Sequence, residues 1–141
     1  MPENYTMFWR YFWPSIIWAI FVLILCGLPG KDFPELSFLE WLSPDKIAHL
    51  FLFGVQCFLL LKGFRHMKQS SRLYKHAILY SLTLSITYGA LVEVLQTFVF
   101  IERNGDVRDA LANAIGAFLG VWLYKRMNRR RILILEKSQL N

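Results

Sequence analysis

The sequence predicts an all-α polytopic membrane protein, a bundle of four transmembrane helices with both termini in the cytoplasm. Of the 141 residues, 55% are apolar and only 18% are charged, a composition too apolar for a soluble domain of this size. A helix needs roughly 20 mostly apolar residues to cross a bilayer core. Four stretches approach that requirement, at about 12–28, 46–63, 75–98 and 107–124. The whole chain, 1–141, is therefore expected to form a single transmembrane domain.

The first helix begins among aromatic residues, Phe8 to Trp13, of the kind that gather at a membrane interface. Pro29 and Gly30 predict its end. A cleaved signal peptide is not expected, because only Arg10 is basic before the apolar core and bulky Leu25 precedes Cys26. Ser43 and Pro44 predict the N-cap and first residue of the second helix.

Small residues predict where helices pack closely. Ala112, Gly116 and Gly120 recur every four residues on one face of the fourth helix, the pattern that lets backbones approach each other in lipid. This stripe is suited either to packing within the chain or to binding a partner helix. Gly54 and Gly89 are expected to play a similar part in the second and third helices.

The orientation follows from the basic residues in the connecting segments. Twelve of the 16 Lys and Arg residues fall on one side of the predicted membrane and four on the other. Because the side richer in Lys and Arg stays in the cytoplasm, the first helix is expected to run outward and the fourth inward. Seven of the ten acidic residues then lie on the outer side.

The net charge of +6 does not indicate a nucleic-acid-binding protein. Most basic residues lie directly beside predicted spans, where they fix topology and attract anionic lipid headgroups. The expected partner is the lipid bilayer, with no nucleic acid. Cys26 and Cys57 are expected to be free, because their predicted depths differ by about 18 Å.

Polar residues converge on the outer ends of the second, third and fourth helices. Asp45 and His49 share a face at i, i+4, and His49 lies about 6 Å below the boundary by helical rise. Glu93 is about 7 Å deep near the end of the third helix. The expected binding site comprises nine residues: Asp45, Lys46, His49, Glu93, Gln96, Arg103, Asp106, Asp109 and Asn113.

Some of these residues also have a purely structural interpretation. Asp45, Asp106 and Asp109 stand where carboxylates cap helices and favour the positive end of the helix dipole. Lys46 and Arg108 are placed to snorkel to the interface. Capping and snorkelling do not explain four of the polar residues, namely His49, Glu93, Gln96 and Asn113. These four lie inside apolar segments, where polar groups usually face a protein interior or a water-filled cavity.

Two kinds of chemistry suit the set. His49, Glu93 and Asp109 are candidate ligands for a divalent metal with open positions, the one cofactor that the pattern suggests. The same three residues are candidate catalytic groups, acting as general acid and base. Their spacing matches no established metal motif, and no Ser, Thr or Cys is paired with His49 as a nucleophile.

The order and spacing of these residues resemble the VanZ-like membrane proteins. The resemblance spans Asp45 to Gly120. It is carried by the segments Asp45-Lys46-Ile47-Ala48-His49, Tyr88-Gly89 with Glu93 and Gln96, Arg103 with Asp106, and Asp109 through Gly116. The chain departs from the family pattern at Phe53, where many members carry an aromatic hydroxyl, and at Phe100-Ile101-Glu102, which replaces a Pro-Gly turn.

The resemblance implies a small multi-helix protein of the bacterial cell envelope, in the inner membrane. Its founding members are associated with low-level resistance to the glycopeptide teicoplanin. Combined with the polar layer, this favours an outward-facing pocket that engages a lipid-linked or peptidoglycan-related component and contributes to glycopeptide resistance.

Three alternatives remain open from the sequence. The first is a membrane-embedded hydrolase or transferase, with or without a metal. The second is a small proton-coupled exporter, which the strong charge bias and the position of Glu93 near one end disfavour. The third is a non-enzymatic accessory or assembly protein, in which the small-residue stripe binds a membrane partner or a second copy.

Overall fold

The computed structural model describes the backbone of residues 3–28, 44–67, 71–100 and 105–139, and the side chains of these ranges except 3–7 and 130–139. These residues form five helices and no strand, namely α1 (Glu3–Gly27), α2 (Pro44–Arg65), α3 (Arg72–Lys75), α4 (Ala77–Phe98) and α5 (Val107–Gln139). The all-α prediction is confirmed over the described ranges. Ser43 and Arg103 lie outside them.

Three helices are long and apolar enough to cross a membrane: Phe8–Gly27 of α1, Pro44–Arg65 of α2 and Ala77–Phe98 of α4. They correspond to the first three predicted spans. The predicted fourth span, 107–124, is helical, but α5 is not among the helices that meet this criterion in the described residues. Arg108, Asp109 and Asn113 near its start lower the average apolarity.

The helix bounds differ from the sequence prediction at two places. The stretch predicted to begin at residue 75 is divided, because Ser71 caps the one-turn helix α3 and His76 leaves helical geometry before α4 begins. Helix α5 continues to Gln139 rather than ending near 124. Residues 125–139 contain no Gly or Pro to stop it.

Helix α2 is the centre of the bundle and packs against α1, α4 and α5. Half of its apolar stretch is buried, compared with 22% for α1 and 28% for α4. Two apolar clusters surround it. One contains Phe64, Ala77 and Val121, and the other contains Val22, Phe53 and Val92. Cys26 and Cys57 are buried and free, which confirms the absence of a disulfide between them.

The outward surfaces of the long helices carry large apolar side chains. Ile24, Phe51 and Leu79 are each about 60% exposed, at 61%, 59% and 60%. In water such a surface would be a broad exposed apolar patch, whereas in a bilayer these side chains contact lipid. The charged ends and apolar flanks together fit a bundle that lies in a membrane.

Two ends of the bundle differ in chemistry. The starts of α2 and α5 meet the end of α4 at what we call the polar end, which carries Asp45, Glu93 and Asp109. The other end, which we call the basic end, carries the last turn of α2, with Lys62 and Arg65, and the residues of α5 after Tyr124.

The small-residue stripe of α5 faces α2 within the same chain. A Cβ added at Gly116 would overlap the carbonyl oxygen of Leu50 and lie 3.0 Å from its Cα, and one at Gly120 would overlap the carbonyl oxygen of Gly54. Ala112 is also buried. The packing interpretation of the stripe is therefore the one that the structure supports, and the stripe is not available to a partner helix.

Replacing Gly116 by Leu is expected to destabilise the bundle, because the new side chain must push α5 away from the backbone of Leu50. Overpacking of this kind typically costs about 1–3 kcal/mol. Thermal unfolding of the protein in detergent measures the loss. The matched control is Ala90→Leu, at an exposed position of α4, which is expected to leave stability within about 0.5 kcal/mol. Equal stability of the two variants would contradict the close packing of α2 and α5.

Candidate functional site at the polar end

Glu93 is the residue through which α4 and α5 are joined at the polar end. It lies in the second-last turn of α4 and is only 8% exposed. Its Oε2 accepts a hydrogen bond from the backbone N–H of Asp106 at 3.1 Å, and its Oε1 accepts one from Asn113 Nδ2 at 3.2 Å. Both oxygens are therefore occupied by groups of the α5 segment, where the positive end of the helix dipole also favours a carboxylate.

Asn113 links Glu93 of α4 to His49 of α2 by hydrogen bonds. Because its Nδ2 donates to Glu93, its Oδ1 faces His49 and accepts from Nδ1 of that ring at 2.9 Å. Glu93 Oε1 is also 3.5 Å from His49 Nδ1. His49 and Asn113 are each 2% exposed, so neither side chain has water as an alternative partner. The result is a buried relay of three side chains from three helices.

Two glycines make room for this relay. A Cβ at Gly89 would lie 3.0 Å from Asn113 Cβ, so the glycine of α4 lets Asn113 approach. A Cβ at Gly105 would overlap Thr97 Oγ1 and crowd the carbonyl oxygen of Glu93. Gly105 therefore lets the chain lie against the end of α4, which brings the N–H of Asp106 to Glu93. The contribution of Gly105 was not expected from the sequence, although a glycine directly before a helix start is a usual mark of close backbone approach.

The three aspartates have different roles. Asp106 caps α5, since its Oδ1 accepts from the backbone N–H of Arg108 at 2.9 Å, which confirms the capping interpretation for this residue. Asp109 is 6% exposed, and its Oδ1 is buried without a hydrogen-bond partner among the described residues. Asp45 is half-buried in the first turn of α2.

Asp45, His49 and Asp109 form a second group beside the relay. Each offers one ligand-type atom, and these atoms all lie within 4.8 Å of one another. Lys46 Nζ is 4.0 Å from Asp109 Oδ1, and the Lys46 side chain is only 17% exposed, so this lysine faces the site rather than snorkelling into the interface. Arg108, in contrast, is exposed.

Gln96 points elsewhere. Its Nε2 donates to the carbonyl oxygen of Cys26 at 3.0 Å, which satisfies one of the acceptors left over at the end of α1. Two further side chains tie α1 to the bundle, since Trp18 Nε1 donates to Leu52 O at 2.9 Å and Tyr88 OH donates to Ala19 O at 2.6 Å. Gln96 therefore belongs to the contacts of α1 and not to the group around His49.

Gln56 is a buried polar residue that was not expected from the sequence. Gln56 lies two turns below His49 in α2, is 5% exposed, and its Oε1 has no hydrogen-bond partner among the described residues. Its spacing of seven residues from His49 places it on the same helix face, which is the signal that identifies it. The polar face of α2 thus extends deeper than the predicted layer.

Replacing Asn113 by Leu is expected to lower the free energy of unfolding by about 1–3 kcal/mol, because His49 Nδ1 and a Glu93 oxygen lose their partner while remaining buried. Thermal or denaturant unfolding in detergent tests this expectation. The control Ile115→Leu, at an exposed position of the same helix, is expected to change stability by less than about 0.5 kcal/mol. An Asn113→Leu protein as stable as the wild type would show that the relay does not hold the helices together.

Comparison with known proteins assigns the chain to a family. A sequence model of the VanZ/LLP1 family matches residues 12–130. A curated relative, described as the uncharacterized membrane protein YwnJ of Bacillus subtilis (strain 168), is 34% identical over 106 residues, which is 75% of this chain. The match covers 66% of that relative, just under two thirds of its length. A search of solved structures gave no match. With its three apolar helices of spanning length, the chain is a membrane protein and belongs to the VanZ/LLP1 family.

Proposed function

We propose that the chain is a multi-pass inner-membrane protein of the bacterial envelope whose polar end binds the headgroup of a lipid-linked or peptidoglycan-related molecule. The observation that carries the proposal is Asp109, a carboxylate oriented into the polar end with a buried oxygen that has no hydrogen-bond partner in the described part of the chain. A group of this kind is costly to bury. A ligand that supplies a donor or a cation would remove that cost.

Four spans are proposed rather than three, because Asp109 and Asn113 of α5 face inward. Asp109, Asn113 and Gly116 are buried. The opposite face carries a continuous exposed apolar stripe, with exposed fractions of 58%, 53%, 57% and 56%: Leu111, Ile115, Phe118 and Trp122. A helix with this distribution can contact lipid on one side although its average apolarity is modest. The charge bias supports a topology with both termini in the cytoplasm and the polar end on the outer face.

The polar end has the chemistry of a headgroup site. It lies within two turns of the helix ends and combines the half-buried Asp45, Lys46 and Asp106 with the buried His49 and Asp109. Carboxylates and imidazole accept hydrogen bonds from hydroxyl and amide groups, which sugar and peptide headgroups carry. Association of founding VanZ members with teicoplanin resistance fits such a ligand.

A hydrolase or transferase is the second candidate. It is favoured by the 3.5 Å approach of His49 Nδ1 to Glu93 Oε1, since a carboxylate that orients an imidazole is the usual arrangement of a general base. The accessory role is less favoured, because the small-residue stripe is used within the chain. A homo-oligomer or another membrane partner would have to use a different face.

The four-span topology is tested with single cysteines in a background that lacks Cys26 and Cys57, labelled by a membrane-impermeant thiol reagent. The variants Lys31→Cys and Asn104→Cys are expected to react in intact cells. Those at Asn4 and Ser138 are expected to react only after permeabilisation. Labelling of the Ser138 position in intact cells, with the Asn4 position still protected, would indicate three spans and contradict the proposal.

Ligand binding is tested by native mass spectrometry of the purified protein with an undecaprenyl-linked peptidoglycan precursor, using phosphatidylglycerol as the comparison lipid. The wild type is expected to prefer the precursor, and Asp109→Asn is expected to weaken binding about 10-fold or more, as loss of a hydrogen bond to a charged group implies. Glu93→Gln is expected to weaken binding as well, because Glu93 accepts the hydrogen bonds that position Asn113 and the start of α5. Ile115→Leu, at an exposed apolar position of α5, is the control and is expected to leave binding unchanged. Equal binding of both lipids, or unchanged binding by all variants, would refute the proposal.

A further inference from the structure

The geometry points to a binding site for one divalent metal ion of the Zn²⁺ or Mn²⁺ class, held by Asp45, His49 and Asp109. This set differs from the sequence-based candidates, because Asp45 takes the place of Glu93. The three ligand-type atoms come from the first two turns of α2 and the first turn of α5, and they lie within 4.8 Å of one another.

The distances are close to those of a coordination shell. Ligands bonded to an ion at about 2.2 Å cannot be more than about 4.4 Å apart. No separation in the group therefore exceeds this limit by more than about half an ångström, which side-chain rotation can supply. One imidazole with two carboxylates is a ligand set that suits Zn²⁺ and Mn²⁺ and leaves positions open for water or a ligand oxygen.

The second observation is the buried oxygen of Asp109. Asp109 is 94% buried, since its exposed fraction is 6%, and Oδ1 has no hydrogen-bond partner among the described residues. Lys46 Nζ at 4.0 Å is too distant for a hydrogen bond. A metal ion would satisfy this oxygen directly, and the long side chain of Lys46 can move outward as the ion enters.

The hydrogen bonds of the relay are those usually made by a histidine that binds a metal. A ligating imidazole usually donates its other ring N–H to a carboxylate or carbonyl oxygen, which fixes the tautomer and the ring orientation. His49 Nδ1 faces Asn113 Oδ1 at 2.9 Å and Glu93 Oε1 at 3.5 Å. With Nδ1 as the donor, Nε2 is the nitrogen left with a lone pair for an ion. Glu93 is thus a positioning residue, and both of its oxygens are already bound.

The charge of the polar end supplies a physical reason for the ion. The described residues of this end include four acidic side chains, Asp45, Glu93, Asp106 and Asp109, and two basic ones, Lys46 and Arg108. This step rests on the proposed function, in which the site receives a molecule whose lipid link carries phosphate. Four carboxylates would repel it, whereas a bound dication offers phosphate oxygens a ligand position.

The test measures metal on purified full-length protein without any envelope molecule. Protein stripped with a chelator is dialysed against Zn²⁺ or Mn²⁺, and bound metal is determined by elemental analysis. We expect about one ion per chain for the wild type and for Ile115→Leu, and at least a 10-fold loss of occupancy in Asp45→Asn and Asp109→Asn at the same free metal concentration. For the Mn²⁺ form, pulsed electron paramagnetic resonance is expected to show coupling to an imidazole nitrogen.

Thermal unfolding of each variant verifies that the protein is folded. The same measurement is an independent test of metal binding, because added metal is expected to raise the melting temperature of the wild type and not that of Asp109→Asn. Less than a tenth of an ion per wild-type chain with both metals would overturn the site. So would unchanged occupancy in Asp45→Asn and Asp109→Asn, which would identify an adventitious ion. A wild-type protein that holds neither metal and still binds the precursor would refute this inference and leave the proposed function standing.

Discussion

The structure of the polar end depends on the two oxygens of Glu93. One oxygen holds the N–H of Asp106 and the other holds the amide of Asn113, so a single side chain of α4 fixes both the start of α5 and its first buried amide. These side chains are buried in the bundle, so a polar group that loses its protein partner keeps the full cost of burial. The orientation of Asn113 then determines which nitrogen of His49 carries the proton, and so which nitrogen is left for a ligand.

Close helix packing makes this arrangement possible. Side-chain hydrogen bonds of about 3 Å between three helices require that the helix axes approach closely, and the glycines provide that approach. Gly116 and Gly120 set α5 against the backbone of α2, while Gly89 and Gly105 admit Asn113 and the segment before α5 to the surface of α4. Association of helices in lipid is driven by such packing and by hydrogen bonds between helices, because lipid tails are as apolar as the side chains. The hydrogen bonds between the helices therefore depend on the close packing at these glycines.

The sequence predicted the helices and the grouping of polar residues, because both follow from composition and from helical rise along one helix at a time. The starts of α2 at Pro44 and of α5 near residue 107, and the free cysteines, agree with that reasoning. Helical rise gives depth but not the rotation of one helix against another. For this reason the sequence could not reveal that Gln96 turns toward Cys26 of α1, that Glu93 is engaged by α5, or that Asp45 lies beside Asp109. The rotation of α5 that buries Asp109 and Asn113 and exposes Leu111 and Ile115 likewise does not follow from helical rise.

The central claim is that Glu93 and Asn113 hold His49 with Nδ1 as the hydrogen-bond donor. Nitrogen-15 NMR of the metal-free protein in lipid bilayers, labelled at histidine and asparagine, measures this directly. His66 and His76 lie at the other end of α2 and at the start of α4, so their assigned signals are internal references. The account predicts that neutral His49 has its proton on Nδ1, with close contact to the Asn113 amide, and that Asn113→Leu abolishes the preference. A His49 ring protonated on Nε2 alone, without contact to Asn113, would contradict it.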